Sequence, residues 1–199
     1  MKNPKDGYNR WAKLYDKVEE KMPMGKFKKE AVDMLNGKIL EVGVGSGANF
    51  KYYSKDKDIV GIDISDEMLK LATEKKSKLD LQNITLINMS VEEMTFEDNT
   101  FDSIISTCVF CTVPNPSKGL KEIYRVLKPG GQAIFLEHMK SSSKAINIFL
   151  WIMNNITKRL LGTSLLRETE KTIRSIGFSE VISKNIMMKD VLRLIIAKK

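Results

Sequence analysis

The chain has 199 residues, of which 42% are hydrophobic, and a formal net charge of +8 at pH 7. That length suits one packed domain and is short for two, and the apolar content excludes a disordered chain. The charged start contains no apolar run, so we expect no signal peptide. The densest apolar run, residues 148–153, is too short to cross a bilayer, so we expect a soluble, cytoplasmic protein.

The charge is unevenly distributed along the chain. Residues 31–137 carry twelve Lys and Arg against sixteen acids, whereas residues 138–199 carry twelve against four. Basic flanks around a mildly acidic centre fit an anionic acceptor or an anionic surface, such as nucleic acid, phospholipid or an acidic metabolite. They fit a lysine-rich, solvated surface equally well.

Strand-like and helix-like segments alternate along the whole chain. This alternation predicts an α/β fold with a mostly parallel sheet covered by helices on both faces. The last two strands are joined by a link too short for a helix, which predicts one antiparallel strand. The predicted strands cover residues 38–42, 59–63, 84–88, 103–107, 132–137, 180–185 and 191–197. The predicted helices cover residues 26–35, 47–53, 66–78, 116–127, 145–161 and 167–176.

A glycine-rich loop follows the first strand. The aliphatic run at 39–42 breaks into glycines at alternate positions, Gly43, Gly45 and Gly47, and the second strand ends at Asp63. Glycines let the backbone approach a ligand closely. An acid at the tip of the next strand can accept hydrogen bonds from both ribose hydroxyls. The pair predicts a nucleoside cofactor site.

The spacing of the loop distinguishes between nucleoside cofactors. A dinucleotide site reads G-x-G-x-x-G and holds a pyrophosphate, whereas this chain reads G-x-G-x-G with Glu41 just before it. A carboxylate there repels a pyrophosphate but suits a ligand with an ammonium group. S-adenosyl-L-methionine, which has an amine and no phosphate, is therefore the predicted cofactor. A strand-to-helix turn without a ligand is the alternative.

The two cysteines, Cys108 and Cys111, form a C-x-x-C pair after the fourth strand. A structural zinc site needs four ligands, and the chain offers one histidine and no second cysteine pair. We expect two small apolar residues near a strand end and no bound metal.

These motifs resemble the class I S-adenosylmethionine-dependent methyltransferases over essentially the whole chain. Residues 41–47 match the first motif of that family, Asp63 its ribose-binding acid, 101–105 its fourth strand and 125–131 the segment before its fifth. The resemblance implies a Rossmann-like sheet of seven strands. It implies that Glu41 and the glycines face the methionine, that Ile64 and Met68 flank the adenine, and that Ser90 stands where relatives have an adenine-binding acid. The predicted cofactor contacts are Glu41, Gly43, Gly45, Gly47, Asn49, Asp63, Ile64, Met68, Ser90, Val91 and Thr107.

Within this class, residues 8–16, 109–114 and 136–138 resemble the phosphatidylethanolamine N-methyltransferases and the membrane-associated thiol methyltransferases. The resemblance implies transfer of a methyl group to a small-molecule or lipid acceptor, with a phospholipid amine or a thiol favoured. A quinone-biosynthesis C-methyltransferase and a non-catalytic adenosylmethionine-binding protein are the alternatives. Residues 106–116 lack the Asp/Asn-Pro-Pro-aromatic motif of DNA amino-methylating enzymes, so nucleic acid is not expected. The oligomeric state is left open.

Residues 1–199 are expected to form a single domain in which residues 1–25 act as a lid over the cofactor and residues 139–166 are a helical insertion at the acceptor site. His138, the single histidine, falls at a strand's carboxyl end and is a candidate base for a protonated acceptor. Structural hydrogen bonding is its alternative role, and Tyr15 is a further candidate for acceptor contact. The apolar run at 148–153 with nearby Lys158 suggests peripheral association with an anionic membrane, or a helix packed over the sheet.

Overall fold

The computed structural model describes residues 9, 10, 12, 16, 18 and 22–199. In this part of the chain the helices are α1 (Gly25–Asp33), α2 (Asp66–Lys78), α3 (Pro116–Val126), α4 (Lys144–Leu161) and α5 (Thr169–Arg174). The strands are β1 (Lys38–Val42), β2 (Asp58–Asp63), β3 (Ile84–Asn88), β4 (Phe101–Thr107), β5 (Leu127–His138), β6 (Glu180–Met187) and β7 (Leu192–Lys198).

The seven strands form one sheet in the order β3-β2-β1-β4-β5-β7-β6. Only β7 runs antiparallel to its neighbours, β5 and β6, among the described strands. The predicted α/β class, the mostly parallel sheet and the single reversed strand are therefore confirmed. The strand order reverses at β1 and β4, and in open sheets of this kind ligands bind beside the carboxyl ends of the strands at that point.

Two apolar cores cover the faces of the sheet. On one face, Val32 of α1 and Ala72 of α2 pack with Ile39 and Ile59 of the central strands. On the other face, Leu120 of α3 and Ile173 of α5 pack with Phe135. The central strand β1 is buried along its last four residues, as expected for a parallel strand covered on both sides.

Local signals explain where the helices begin. The Ser65 hydroxyl accepts a hydrogen bond from the Met68 backbone N–H at 3.2 Å, which caps α2. The Asn115 side chain accepts one from the Lys118 N–H at 3.1 Å, with Pro116 at the first turn of α3. Ser65 follows the carboxyl end of β2, and Asn115 follows that of β4.

The predicted helix over residues 47–53 was wrong. The structure has turns there and a single 3₁₀ turn, Phe50–Tyr52. Gly47 has a left-handed φ of 79°, which does not fit a right-handed helix. The following backbone hydrogen bonds join residues three apart, such as Phe50 N–H to Gly47 O at 3.1 Å.

A second difference concerns residues 128–131, which precede the predicted start of the fifth strand at residue 132. The structure keeps this segment inside β5, where the register with β4 shifts between Phe101 and Ser103. Gly130 has a φ of 76° in the bulge, so the Pro-Gly-Gly sequence bends the strand without ending it. None of the helices in the described ranges is both long and apolar enough to cross a membrane.

Candidate active site

A cleft opens at the carboxyl ends of β1, β2 and β4 and encloses about 860 Å³ out to its mouth. Its place at the strand ends, with mostly apolar walls and a few polar groups, is typical of small-molecule sites. The glycine loop, the tip of β2 and the segment after β4 form its walls, lined among others by Gly43, Asp63, Met68 and Val109.

The glycine loop approaches the opposite wall closely. Gly43 has a φ of 65°, and a Cβ added there would lie 2.4 Å from Cγ2 of Val109. A larger residue at this position would both strain the backbone and fill the cleft. The Val44 N–H donates to the Ile62 carbonyl at 3.0 Å, which joins the loop to β2.

Asp63 stands at the end of β2 and faces this loop. Its Oδ2 accepts the Gly45 N–H at 2.9 Å, and its Oδ1 accepts the Ser65 N–H at 2.9 Å. Burial raises the pKa of Asp63, although these two N–H donors oppose the rise. A carboxylate has about four lone-pair positions, so these backbone donors leave room for further donors from a ligand. Two vicinal hydroxyls of a ribose can supply such donors.

On the other side of the loop, Glu41 lies at the centre of a buried hydrogen-bond network. Its Oε1 accepts from Asn49 Nδ2 at 2.8 Å, and its Oε2 accepts from the Tyr53 hydroxyl at 2.9 Å. Asn49 Nδ2 also donates to the Thr107 hydroxyl at 3.1 Å. Burial, together with the nearby Glu41 carboxylate, raises the pKa of Tyr53 well above its ordinary value, so its hydroxyl stays a donor.

This network leaves an acceptor on the cleft wall. The Oδ1 of Asn49 is buried and has no hydrogen-bond partner in the described part of the chain. A buried acceptor beside a carboxylate suits a ligand that brings N–H donors and positive charge. The ammonium group of adenosylmethionine has both properties, so the residues present fit the predicted cofactor.

A further side of the cleft, which we call the slot, is lined mainly by apolar side chains and suits a flat ring. Ile64, directly after β2, and Met68 of α2 line it, together with Ser90 and Val91 from the segment after β3. Glu92 also lines the cleft, and its Oε1 accepts the Asn115 N–H at 2.7 Å. The Ser90 hydroxyl accepts the Glu92 N–H at 3.2 Å, so this pair forms the polar end of the slot.

The structure brings ten of the eleven predicted cofactor residues to this cleft. The exception is Gly47, where an added Cβ would lie 2.5 Å from the Phe50 ring and which borders a neighbouring, lysine-lined depression. Gly47 is therefore required for the turn, because its left-handed backbone packs against that ring. Tyr15 lies outside the described residues. The ten are Glu41, Gly43, Gly45, Asn49, Asp63, Ile64, Met68, Ser90, Val91 and Thr107.

His138 stands at the end of β5, paired with Leu192 of β7. It is not among the residues that line the cleft. Burial lowers the pKa of His138, which keeps the imidazole neutral. Its Nδ1 is buried and has no hydrogen-bond partner among the residues that the structure describes.

Sequence reasoning assigned no role to Glu137, which holds the segment after β4 that lines the cleft. Its Oε1 accepts the Ser106 hydroxyl at 3.0 Å and the backbone N–H groups of Val109 and Phe110 at 2.9 and 3.3 Å. Burial raises the pKa of Glu137 to about 7. An acid at the end of an otherwise apolar strand was the signal that could have identified it.

Two described residues of the N-terminal segment contact the rim of the cleft. The Asn9 Oδ1 accepts the Ser65 hydroxyl at 2.6 Å, and the Asp16 carboxylate accepts the Ser46 hydroxyl at 2.5 Å. Asp16 also pairs with Lys75 at 2.9 Å. Ser46 lies within the glycine loop, and Ser65 lies two residues after Asp63. The N-terminal segment therefore contacts both the glycine loop and the end of β2.

Comparisons with known proteins agree on one family. A model of the methyltransferase domain matches residues 40–135. The chain is 30% identical over 184 residues to the phosphatidylethanolamine N-methyltransferase of Cereibacter sphaeroides, covering 85% of this chain and 90% of that protein. It is 35% identical over 148 residues to a thiol S-methyltransferase of Rattus norvegicus, covering 72% of this chain and 60% of that protein.

A ubiquinone/menaquinone biosynthesis C-methyltransferase of Rickettsia prowazekii is 38% identical over 147 residues, covering 67% of this chain and 59% of that protein. The chain thus spans about six tenths of the length of the rat and Rickettsia relatives. Among solved structures, phosphoethanolamine N-methyltransferase 2 of Haemonchus contortus, in complex with phosphomonomethylethanolamine and S-adenosylhomocysteine, superposes with a TM-score of 0.75. That match has 18% identity and covers 100% of this chain and 61% of that chain.

Proposed function

Because this chain belongs to the class I S-adenosylmethionine-dependent methyltransferases, we propose that it methylates a phospholipid amine or a thiol. Its cofactor is S-adenosylmethionine and its activity is methyl transfer. The observation that carries the cofactor assignment is the placement of Glu41 and Asp63 around one glycine loop in one cleft, and the acceptor is inferred from the relatives. This placement separates an ammonium-binding end from a ribose-binding end.

Each wall of the cleft then has a role toward the cofactor. Glu41 and Asn49 hold the amino-acid end, because a carboxylate and a buried amide oxygen both accept from an ammonium. Asp63 holds the ribose through the lone-pair positions that its backbone donors leave. Ile64 and Met68 pack on the adenine, with Ser90 and Val91 at its edge.

The bound cofactor supplies a methyl group on a positively charged sulfur. An acceptor's lone pair would take up this methyl group as the carbon–sulfur bond breaks, and the sulfur would leave as a neutral thioether. The chain's main contribution is alignment, which can be worth about 7–11 kcal/mol. The Glu137 contacts to the backbone of Val109 and Phe110 fix the wall that such an acceptor would meet.

An amine or thiol acceptor must also lose a proton. We propose His138 as the base, because burial lowers its pKa and keeps it neutral and because Nδ1 has no competing partner in the described part of the chain. Its position outside the cleft lining requires the acceptor to extend past the end of β5.

The relatives reported above support a small-molecule or lipid acceptor, but they do not distinguish an amine from a thiol or a quinone. The similarity to a phosphatidylethanolamine N-methyltransferase extends over nine tenths of that protein, and this breadth favours a lipid amine. The higher identity of the quinone-pathway relative, 38% over a shorter alignment, makes ring carbon methylation of a quinone precursor the second candidate.

The same proposal extends to domain organisation. Residues 1–25 would act as a lid, which the contacts of Asn9 and Asp16 at the rim support. Residues 139–166 would form an acceptor-site insertion between β5 and α5. We propose a cytoplasmic protein that meets a lipid acceptor at the surface of an anionic membrane.

A methyl-transfer screen tests the acceptor. The purified protein is incubated with cofactor labelled in the methyl group and with phosphatidylethanolamine vesicles, an alkyl thiol, a demethylated quinol or RNA. We expect label in the phospholipid or thiol fraction. Label in the quinol alone would move the assignment to the second candidate, and label in RNA alone would contradict both.

A further inference from the structure

The outward face of α4 is apolar, whereas the outward face of a surface helix is normally polar. Ile148, Phe149, Trp151 and Ile152 are 63%, 56%, 59% and 53% exposed, although a surface helix normally turns polar side chains to water. They account for four of the nine exposed large hydrophobic side chains in the described ranges. We name these four residues the α4 apolar face.

The opposite side of α4 packs against the protein. Leu150 is buried, and the buried Asn154 accepts the Leu165 N–H at 2.8 Å. At the start of the helix, the Ser141 N–H donates to Asn147 Oδ1 at 2.9 Å. The helix is therefore held through its inner side, and the α4 apolar face is left toward solvent.

The charged residues of α4 itself all have one sign. Residues 139–167 contain five Lys and Arg and no Asp or Glu. Lys144 and Lys158, near the two ends of the helix, are exposed. Two acids reach the wider segment: the buried Asp190 accepts the Ser142 N–H at 2.7 Å, and Glu168 pairs at 3.6 Å with Lys140, which precedes the helix. An apolar centre with basic ends and no acids complements an anionic lipid surface.

The connection after α4 is bonded to the wall of the cleft. The Ser164 N–H donates to the Cys111 carbonyl at 2.8 Å, and Arg167 Nη2 donates to the Val113 carbonyl at 2.8 Å. Val113 lines the cleft, and so does the neighbouring Thr112. A helix docked on a membrane would thus be joined directly to the acceptor side of the site.

We propose that the α4 apolar face docks the protein on an anionic bilayer and that this docking presents lipid to the cleft. The inference rests on the proposed lipid acceptor, and it names the surface through which that acceptor is reached. Apolar side chains enter the interface, and the lysines at the ends of the helix pair with lipid phosphates.

Vesicle flotation tests the surface without measuring methyl transfer. The wild-type protein is compared with a double variant, Phe149→Ser with Trp151→Ser, on vesicles of phosphatidylglycerol and phosphatidylcholine. We expect the double variant to lose about ten-fold or more in partitioning, because two large apolar side chains no longer enter the bilayer. Partitioning of the wild type should fall several-fold between about 0.05 and 0.5 M salt as the charges are screened.

Two control variants accompany it. Ile182→Ser removes an apolar side chain that is 49% exposed on β6, and it should leave partitioning unchanged. Phe149→Leu with Trp151→Leu keeps the face apolar and should retain most of the binding. Cofactor affinity, measured by calorimetry on the same samples, should be equal in all variants, since none of these residues lines the cleft.

Several results would overturn the proposal. One is a wild-type protein that stays in the soluble fraction with anionic vesicles at low salt, and another is a double variant that floats as well as the wild type. Equal binding to pure phosphatidylcholine at every salt concentration would remove the role of the charges. If the wild type sedimented as a dimer and the double variant as a monomer, the face would be assigned to a second copy of the chain. A wild-type protein that bound no cofactor, or transferred no methyl group to a soluble acceptor, would instead contradict the proposed function and not the docking surface.

Discussion

The carboxylate of Glu137 accepts the backbone N–H of Val109 at 2.9 Å and thereby ties the end of β5 to the wall of the cleft. The oxygen that accepts from Val109 is Oε1, and it also accepts from Ser106 and Phe110. The other oxygen, Oε2, is buried with no hydrogen-bond partner in the described part of the chain. Burial of the carboxyl group outweighs these hydrogen bonds and raises the pKa of Glu137 to about 7.

Replacing Glu137 with glutamine should change how stability depends on pH. The unfolded carboxyl ionises near its ordinary pKa of 4.5, but the folded one keeps its proton to about 7, so the folded state binds more protons in this window. The free energy of unfolding of the wild type should therefore fall as pH rises from about 4.5 to 7, by about 3 kcal/mol from this group. Urea unfolding of the wild type and the variant at several pH values measures the difference between their free energies of unfolding. Contributions from other titrating groups cancel in that difference.

A matched variant for that experiment is Glu97→Gln, because Glu97 is exposed at the surface. It removes the same formal charge without touching the cleft. If Glu137→Gln and wild type gave parallel stability curves across the window, the buried carboxyl would not carry a raised pKa.

Glu41→Gln should weaken only ligands that carry the amino-acid part of the cofactor. The variant keeps an acceptor for Asn49 but loses the charge that faces an ammonium, which is worth roughly 1.5–3 kcal/mol. Adenosylmethionine and adenosylhomocysteine should bind about ten-fold or more weakly. Methylthioadenosine, which has the same nucleoside and no amino acid, should bind as it does to the wild type. Calorimetry with the three ligands measures this.

Tyr53→Phe is the control for the Glu41 variant, because it removes a hydrogen bond to the same carboxylate but no charge. Its effect on the three ligands should be small and uniform. An equal loss for all three ligands in Glu41→Gln would show that Glu41 supports the fold of the loop and has no specific contact with the ammonium.

His138→Asn should lower turnover and leave cofactor affinity unchanged, because His138 does not line the cleft. General bases typically contribute about 10²–10⁴-fold. The rate of the variant should recover at high pH, where an amine or thiol loses its proton without help. A variant that methylates at the wild-type rate between about pH 6 and 9 would leave His138 a structural role only.

Most of the fold followed from the sequence because parallel, buried strands are continuous apolar runs with sharp ends. The bounds of β1 and β3 agree with the prediction, and α2 begins at its capping serine. The segment after the glycine loop was predicted as a helix because its composition allows one. Its backbone instead follows the left-handed φ of Gly47 and the attraction of the Asn49 and Tyr53 side chains to Glu41.

The cofactor side of the site was predictable for a related reason. Its residues follow strand ends, and strand ends in a parallel sheet converge at one edge. For Glu137 the sequence offered its position, an acid at the end of an apolar strand, but not its partners, since these are donors from Ser106 and Val109 on the neighbouring strand and loop. Likewise, the run at 148–153 gave no indication of which side chains face water. That distinction required the packing of Leu150 and Asn154 against the protein.

The most direct test of this account is calorimetric titration of adenosylmethionine into wild type, Asp63→Asn and Asp58→Asn. Asp63 and Asp58 stand at opposite ends of β2, and only Asp63 lines the cleft. We expect wild type and Asp58→Asn to bind in the micromolar range, about −8 kcal/mol. Asp63→Asn should lose roughly 2–3 kcal/mol, because its amide replaces an oxygen that accepts from the ribose. Equal affinity in all three proteins, or binding of NAD in place of adenosylmethionine, would contradict the account.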